Sequence, residues 1–296
     1  MSLLDKTNLL ITPNAVKAGK LYSVIPSSGL GDCTVIRNTT ATTVNRLGLI
    51  QSVSANVPRI NYLTTGGTPY ILDEQQATNL ILYSEDFTQS AYGKDSALII
   101  TSNNAISPSG AQNAELVENI LAASTNLAIR QDVFFGDING LSFSLSVFLK
   151  APTVTQVGQT IRIAVQRTSG TFAASQLDYT LTNQWVRVLL PKMTGLSGST
   201  GVSLRILNNG TSDKILIWGA QIEQANFASS YIPTAAAAVT RNADVITVAP
   251  PAGTVKITTT FSNDTTQVIT SIPALFTVPA GLIKQVLMQS SLWYTS

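Results

Sequence analysis

The chain has 296 residues, enough for one large or two small domains, with 11% charged residues, no histidine and a formal net charge of +2. A charged fraction under half the roughly 25% usual in soluble domains, beside an ordinary 44% of hydrophobic residues, excludes disorder and implies a surface of hydroxyls, amides and backbone. The missing histidine removes Ser-His-Asp and Cys-His catalysis and the common zinc sites, the thin charge removes a phosphate-binding stripe, and the single cysteine, Cys33, removes an internal disulfide.

Residues 1–34 read as irregular chain with one or two short strands, broken by Pro13, Gly19 and Pro26. No stretch reaches the roughly 20 apolar residues of a membrane span, and the charges scattered through the first twenty residues are unlike a secretory signal. From Thr34 to Glu85 turn formers are dense and no long periodic run occurs. That predicts an extended segment lying over another surface, without a core of its own.

Between residues 95 and 247 a period of two becomes clear. In Ser142–Lys150, Phe143, Leu145, Val147 and Leu149 alternate with serines, which predicts a half-buried strand. Ile161, Ile163 and Val165 alternate with Arg162, Ala164 and Gln166, and Val202, Leu204 and Ile206 alternate with Ser203 and Arg205. Val186, Val188 and Leu190 share a face opposite Trp185 and Arg187. Asn209-Gly210 predicts a hairpin joining Arg205–Leu207 to Ile215–Trp218, and Asn139-Gly140 marks another turn. Ala111–Leu121 is the one stretch with helical character, and it is short. Many strands and no long helices give an all-β chain, an antiparallel β-sandwich or jelly roll, with an extended N-terminal segment and a β-rich C-terminal extension. After Pro250-Pro251 the chain is nearly uncharged, and the apolar run Ala280–Ser296 needs the main domain or a second copy of the chain to bury it.

Two stretches carry a recognisable pattern: IRNTTATTVNRLGLIQSVSANVPRINY followed by PYILDEQQATNLILYSEDFTQSAYGK, and IWGAQIEQANFASSYIPTAAAAVTRNADVI at 217–246. Together they resemble a family of tailed-bacteriophage virion proteins, the head-spike or head-fibre and tail-fibre-like proteins, over about 210 residues. Departures are small: Tyr92 stands where Trp is common, and Asp73-Glu74 where Glu-Pro is common. The resemblance implies a carbohydrate-binding-module-like jelly roll and brings no catalytic residues with it. It divides the chain into a virion-docking segment (1–34), an extended motif segment (35–94), the jelly roll (95–247) and an oligomerisation segment (248–296).

Four arginines, Arg37, Arg46, Arg59 and Arg241, fall inside these motifs, and the expectation is that they fasten residues 35–85 to the jelly roll or to an adjacent subunit. Trp185 and Trp218 are expected in sheet strands as packing residues, and Trp293 and Tyr294 as an oligomer contact near the C-terminus. The close carboxylates, Asp73-Glu74, Glu85-Asp86 and Glu115 with Glu118, read as turn and edge residues, not as a glycosidase pair. No Asp/Asn run offers a dedicated calcium loop, and no cofactor is expected. The resulting expectation is a non-enzymatic virion protein made in the host cytoplasm: a homotrimeric head fibre or spike bound to capsid proteins, touching glycans, and binding neither nucleic acid nor membrane. A tail fibre or receptor-binding protein is the first alternative and a virion polysaccharide depolymerase the second.

Overall fold

The computed structural model describes residues 6–26, 32–121, 127–168, 174–207 and 211–290, and the chain in it is all-β. It divides into two compact units. The first joins residues 1–76 to 241–296, and the second is the continuous stretch 77–240.

In the first unit the two ends of the chain build one antiparallel sheet. Its strands run in the order Lys20–Ile25, Thr7–Lys17, Gly281–Ser290, Thr254–Phe261, Thr266–Ile269. Pro69–Asp73 also pairs with Gly281–Ser290, and Arg59–Tyr62 pairs with Pro69–Asp73. Pro13 has no N–H for a ladder, and the register with Lys20–Ile25 shifts between Ile11 and Val16. The strands then close through Ala18 and Gly19, both at positive φ (50° and 74°), the conformation of a tight hairpin turn. Leu9, Ile11, Ile71, Ile257, Ile283, Val286 and Met288 form the sheet's share of a core. Ile246, Val248 and Phe276 of a second, three-stranded sheet complete it.

The two compact units part at 76/77 and 240/241. Residues 35–76 share a core with both termini. The apolar strand Gly281–Ser290 finds its burial against Thr7–Lys17 of its own chain, with Leu9 opposite Met288 and Ile11 opposite Val286. A low-charge strand seeks any matching apolar edge, and sequence distance does not enter that free energy except through a slowly growing loop-closure term.

The second unit is a sandwich of two antiparallel sheets. The six-stranded sheet runs Leu98–Ile106, Gln112–Asn119, Lys214–Glu223, Ser142–Lys150, Val186–Leu189, with Met193–Thr194 also on Ser142–Lys150. The five-stranded sheet runs Ala174–Thr180, Thr160–Arg167, Gly201–Leu207, Ala128–Phe134, Gly93–Lys94. Phe143, Leu145, Val147, Leu149, Ile215 and Ile217 from the first sheet meet Ile129, Ile161, Ile163, Val165, Leu204 and Ile206 from the second.

Three local expectations change here. Ala111–Leu121 contains the strand Gln112–Asn119, because Val117 must face the core on a sheet whose neighbours already set the period. Asn209-Gly210 lies outside the described residues, but the strands either side of it do not form a hairpin. Gly201–Leu207 belongs to the five-stranded sheet and Lys214–Glu223 to the six-stranded one. Ser142–Lys150 is buried on both faces, its serines included: Ser144 and Ser146 are at most 2% exposed.

The glycine of the Trp-Gly-Ala-Gln run explains that second buried face. Gly219 sits at φ +63°, and the pairing of Lys214–Glu223 with Ser142–Lys150 slips there, Phe148 facing Trp218 but Ser146 facing Gln221. A bulge of this kind shifts the in–out alternation by one residue. Ile215 and Ile217 point into the core before it, Ala220 and Ile222 after it, while Trp218, Gln221 and Glu223 all face outward. A Cβ on Gly219 would stand 3.0 Å from the Phe148 ring and 3.2 Å from that of Tyr231.

Candidate functional site

Three of the four motif arginines meet at one buried place in the first unit. Arg37 donates through Nη1 to Asp244 Oδ1 (2.8 Å), and Arg59 forms an ion pair with Asp244 Oδ2 and with Glu74 Oε2 (2.8 Å). Arg241 lies 3.5 Å from Glu74 Oε2. All three arginine side chains are at most 1% exposed, a burial tolerated only when charge is matched and donors are satisfied. Other donors reach carbonyls: Arg37 to Thr39, Val53, Ser54 and Val57, Arg59 to Thr42, and Arg241 to Gln75 and Asn242. Burial alone raises Asp244, but hydrogen bonds and charge from Arg59, with help from Arg37, bring it below the usual carboxylate range. Asp73, 2% exposed beside them, is pushed up to about 7 by burial and by the charge of Asp244. Arg37, Arg59 and Arg241 therefore fasten extended backbone around Asp244 and Glu74, and Arg46 stands apart, exposed in a turn.

The other halves of the same motifs meet in the second unit. Asn79 is fully buried, and its amide donates to the carbonyls of Ala220 (3.1 Å) and Ile232 (2.8 Å). Its Oδ1 accepts from the N–H groups of Ile81 (3.1 Å) and Ile222 (3.2 Å), so all four of its hydrogen-bonding positions are used. Thr234 Oγ1 donates to Ile81 O (2.6 Å), Ser84 Oγ meets the Tyr231 hydroxyl (2.7 Å), and that hydroxyl donates to Glu85 (3.0 Å). The linked motifs are thus joints between distant stretches of backbone. Asn79→Ala is expected to cost roughly 2–3 kcal/mol in urea-induced unfolding, because four buried backbone groups lose their partner at once. A loss under about 0.5 kcal/mol would contradict this account.

The same return of chain closes the outer face of the six-stranded sheet. Tyr231 packs on Trp218 (centroids 4.7 Å apart), which packs on Phe148 (5.4 Å). Gln221 accepts from Ile232 N (2.7 Å), Glu223 from Ser229 N (2.9 Å), and Arg187 donates to Ser229 O (2.7 Å). Trp218, 1% exposed, therefore offers no platform to a ligand. Trp185 precedes its strand and is half-buried, its Nε1 donating to Ile106 O (2.8 Å). Trp293 and Tyr294 lie outside the described residues.

The carboxylates are held by protein partners. Glu115 lies in the sandwich, accepting from Phe87 N (2.9 Å), and is raised to about 8 by burial first, then by Asp86. Asp86 accepts from Thr88 and Gln89, Glu85 from Tyr231 and Asn113, and Glu118 pairs with Lys214 (2.5 Å). Among the described residues no group of three or more Cys, Asp or Glu is placed to hold a metal ion. The half-buried Cys33 thiol, pushed up to about 12 by burial and the charge of Asp32, is an unreactive packing group.

The outer face of the five-stranded sheet, which the sequence reading did not single out, carries an exposed aromatic beside polar side chains. Arg130, Asp132 and Phe134 project from one strand, facing Arg205, Ser203 and Gly201 of the next. Gln166 lies beyond Ser203, and Ala164 beyond Arg205. Phe134 is 68% exposed, and the position opposite it can carry no side chain: a Cβ on Gly201 would meet Val133 O at 2.4 Å. An uncovered aromatic face at one end and a line of amide, carboxylate and guanidinium groups behind it can stack on a sugar ring and exchange hydrogen bonds with its hydroxyls. The clue in sequence was Phe134, an aromatic in phase with Arg130 and Asp132 on the polar side of an alternating strand.

No protein-family model matches the chain, and no curated protein matches it. Among solved structures it is similar to the enzymatically active domain of bacteriophage CBA120 tailspike protein 4, at TM-score 0.37 and 11% identity, over 51% of this chain and 21% of that one. It is similar also to the C-terminal family 22 carbohydrate-binding module of Clostridium thermocellum Xyn10B (TM-score 0.38, 15% identity, 51% of this chain and 96% of that one). A third is the xylan-binding domain of Paenibacillus barcinonensis Xyn10C (TM-score 0.36, 13% identity, 53% and 98%). The chain thus spans about a fifth of the tailspike structure's length.

Proposed function

We propose that this chain is a non-enzymatic virion protein of a tailed bacteriophage, a head fibre or spike on the capsid. In this reading its sandwich holds glycans of the host surface or of mucus on the outer face of the five-stranded sheet. The observation that carries the glycan reading is Phe134, two-thirds exposed opposite a glycine that can take no side chain, at the end of a row of hydrogen-bonding groups. The sequence motifs support the virion part. Trp218, Tyr231 and Phe148 on the other sheet are buried and offer no ring to stack on, whereas Phe134 is backed by a row of polar side chains on its own sheet.

A site of one aromatic and a few polar groups binds weakly, and assembly into a homotrimer presented in many copies on one particle raises the effective concentration. The test is a glycan array probed with the purified full chain and with Phe134→Ala. Binding by the parent is expected to fall about tenfold in the variant, the loss of one stacking contact together with its buried area, with an unchanged melting temperature. Equal binding by both proteins, or release of reducing ends from a bound polysaccharide, overturns the proposal. Immunogold labelling of phage particles tests the capsid location, and label confined to the tail would decide for the tail fibre.

A further inference from the structure

We infer that the glycan held on this face is acidic, with a carboxylate-bearing sugar seated on Arg205 at the arginine end of the face; the inference rests on the glycan reading above. The two arginines stand directly opposite each other on neighbouring strands, an arrangement of like charges that costs stability in a sheet. The structure draws the two apart. Arg205 leans outward to Gln166, which, with its amide oxygen facing the guanidinium, accepts from Nε (2.6 Å) and Nη2 (3.0 Å). Arg130 lies the other way, over Gly93, where a Cβ would stand 3.0 Å from its Nε, and toward Asp95 at 3.7 Å. The two guanidinium groups thus turn away from each other, each toward the strand beyond its own.

No carboxylate forms an ion pair with Arg205 among the described residues, whereas the next arginine on the sheet, Arg162, is closed by a two-point pair with Asp178 (2.6 and 2.8 Å). A guanidinium carries five donors in a fork that matches a carboxylate, and Gln166 occupies two of them. Asp132 gives the site a direction. It stands between the arginines and Phe134, repels an anion there and accepts from hydroxyls instead. The charged sugar therefore belongs at the arginine end, with an uncharged ring face on Phe134, four residues and about 13 Å away along the strand.

The experiment uses the full chain with polygalacturonate, with the same polymer fully methyl-esterified, and with dextran sulfate, alongside an array of acidic and neutral glycans. Expected are binding to carboxylate-bearing glycans that weakens with added salt, weaker binding to the ester, and a loss of about tenfold or more in Arg205→Gln. The melting temperature of that variant should hold or rise as the like-charge pair is relieved. Equal affinity for acid and ester, untouched by Arg205→Gln but lost in Phe134→Ala, overturns the acidic class and leaves the glycan reading standing. Binding to dextran sulfate with none to any carboxylated glycan also overturns it. No binding by the parent chain to any acidic or neutral glycan overturns both.

Discussion

Asp244→Ala is expected to lower the unfolding free energy by roughly 3–5 kcal/mol, the cost of stranding buried charge. One carboxylate serves two arginines and a backbone amide: Arg37 on Oδ1, Arg59 on Oδ2 and, at 3.1 Å, the N–H of Glu74. Removing it leaves three cations in a dry site facing Glu74, whose side chain is one-fifth exposed, and Asp73. Asp73 limits the loss. The charge of Asp244 is one reason its proton is retained, so in the variant Asp73 ionises more readily and returns part of the balance. Asp244→Asn, which keeps the shape and one acceptor, should fall between parent and alanine. Arg162→Ala, breaking a well-formed but exposed pair with Asp178, should change stability by about 0–1 kcal/mol. Urea denaturation of the three variants gives the comparison. An alanine variant within about 1 kcal/mol of the parent would show that the cluster contributes little net free energy.

The sequence disclosed the sandwich more readily than the partner of each strand. Alternation in Ser142–Lys150 and Thr160–Arg167 identified the core faces, because one side of each strand must be apolar whatever it meets. It could not reveal that the serine face would also be buried. That depends on residues 224–235 folding back, and a serine is as compatible with water as with a covered sheet. Nor could periodicity show that the last described strand pairs with the first. Leu9 opposite Met288 is a contact across nearly the whole chain, and any apolar edge would have satisfied the pattern. The motif arginines were visible as rare charges in a low-charge chain, but their acceptor was not, since Asp244 reads locally as one polar residue in Asn242-Ala243-Asp244. The proposed glycan face was least legible. Phe134 and Arg205 gain meaning only when register places Gly201 and Arg130 opposite them.

The missing histidines give the last prediction its clarity. Stability should fall as pH rises from about 5 to about 8, the reverse of a fold governed by ion-paired carboxylates. Glu115, 2% exposed, is raised by burial and by Asp86 to about 8, and Asp73 by burial and Asp244 to about 7. Each keeps in the folded state a proton that the unfolded chain has already released near its ordinary value of 4.5 or 3.8. The unfolded state therefore binds fewer protons in this window, and stability declines by at most about 1.4 kcal/mol per pH unit for each group. Both contribute up to pH 7, Glu115 alone from 7 to 8, and the curve flattens above that. Glu85 and Glu223, also raised by burial, add in the same direction. Asp244 acts oppositely: its lowered value contributes stability that is lost only as pH falls below about 4. Urea midpoints between pH 4.5 and 8.5 should trace this decline, with no imidazole titrating to mask it. Glu115→Gln, which keeps an acceptor for the Phe87 N–H without a charge to bury, should flatten the slope between pH 7 and 8. A midpoint that climbs from pH 5 to 8 would mean that Glu115 and Asp73 are ionised in the folded protein, with water or a bound cation reaching carboxylates that the packing shows as enclosed.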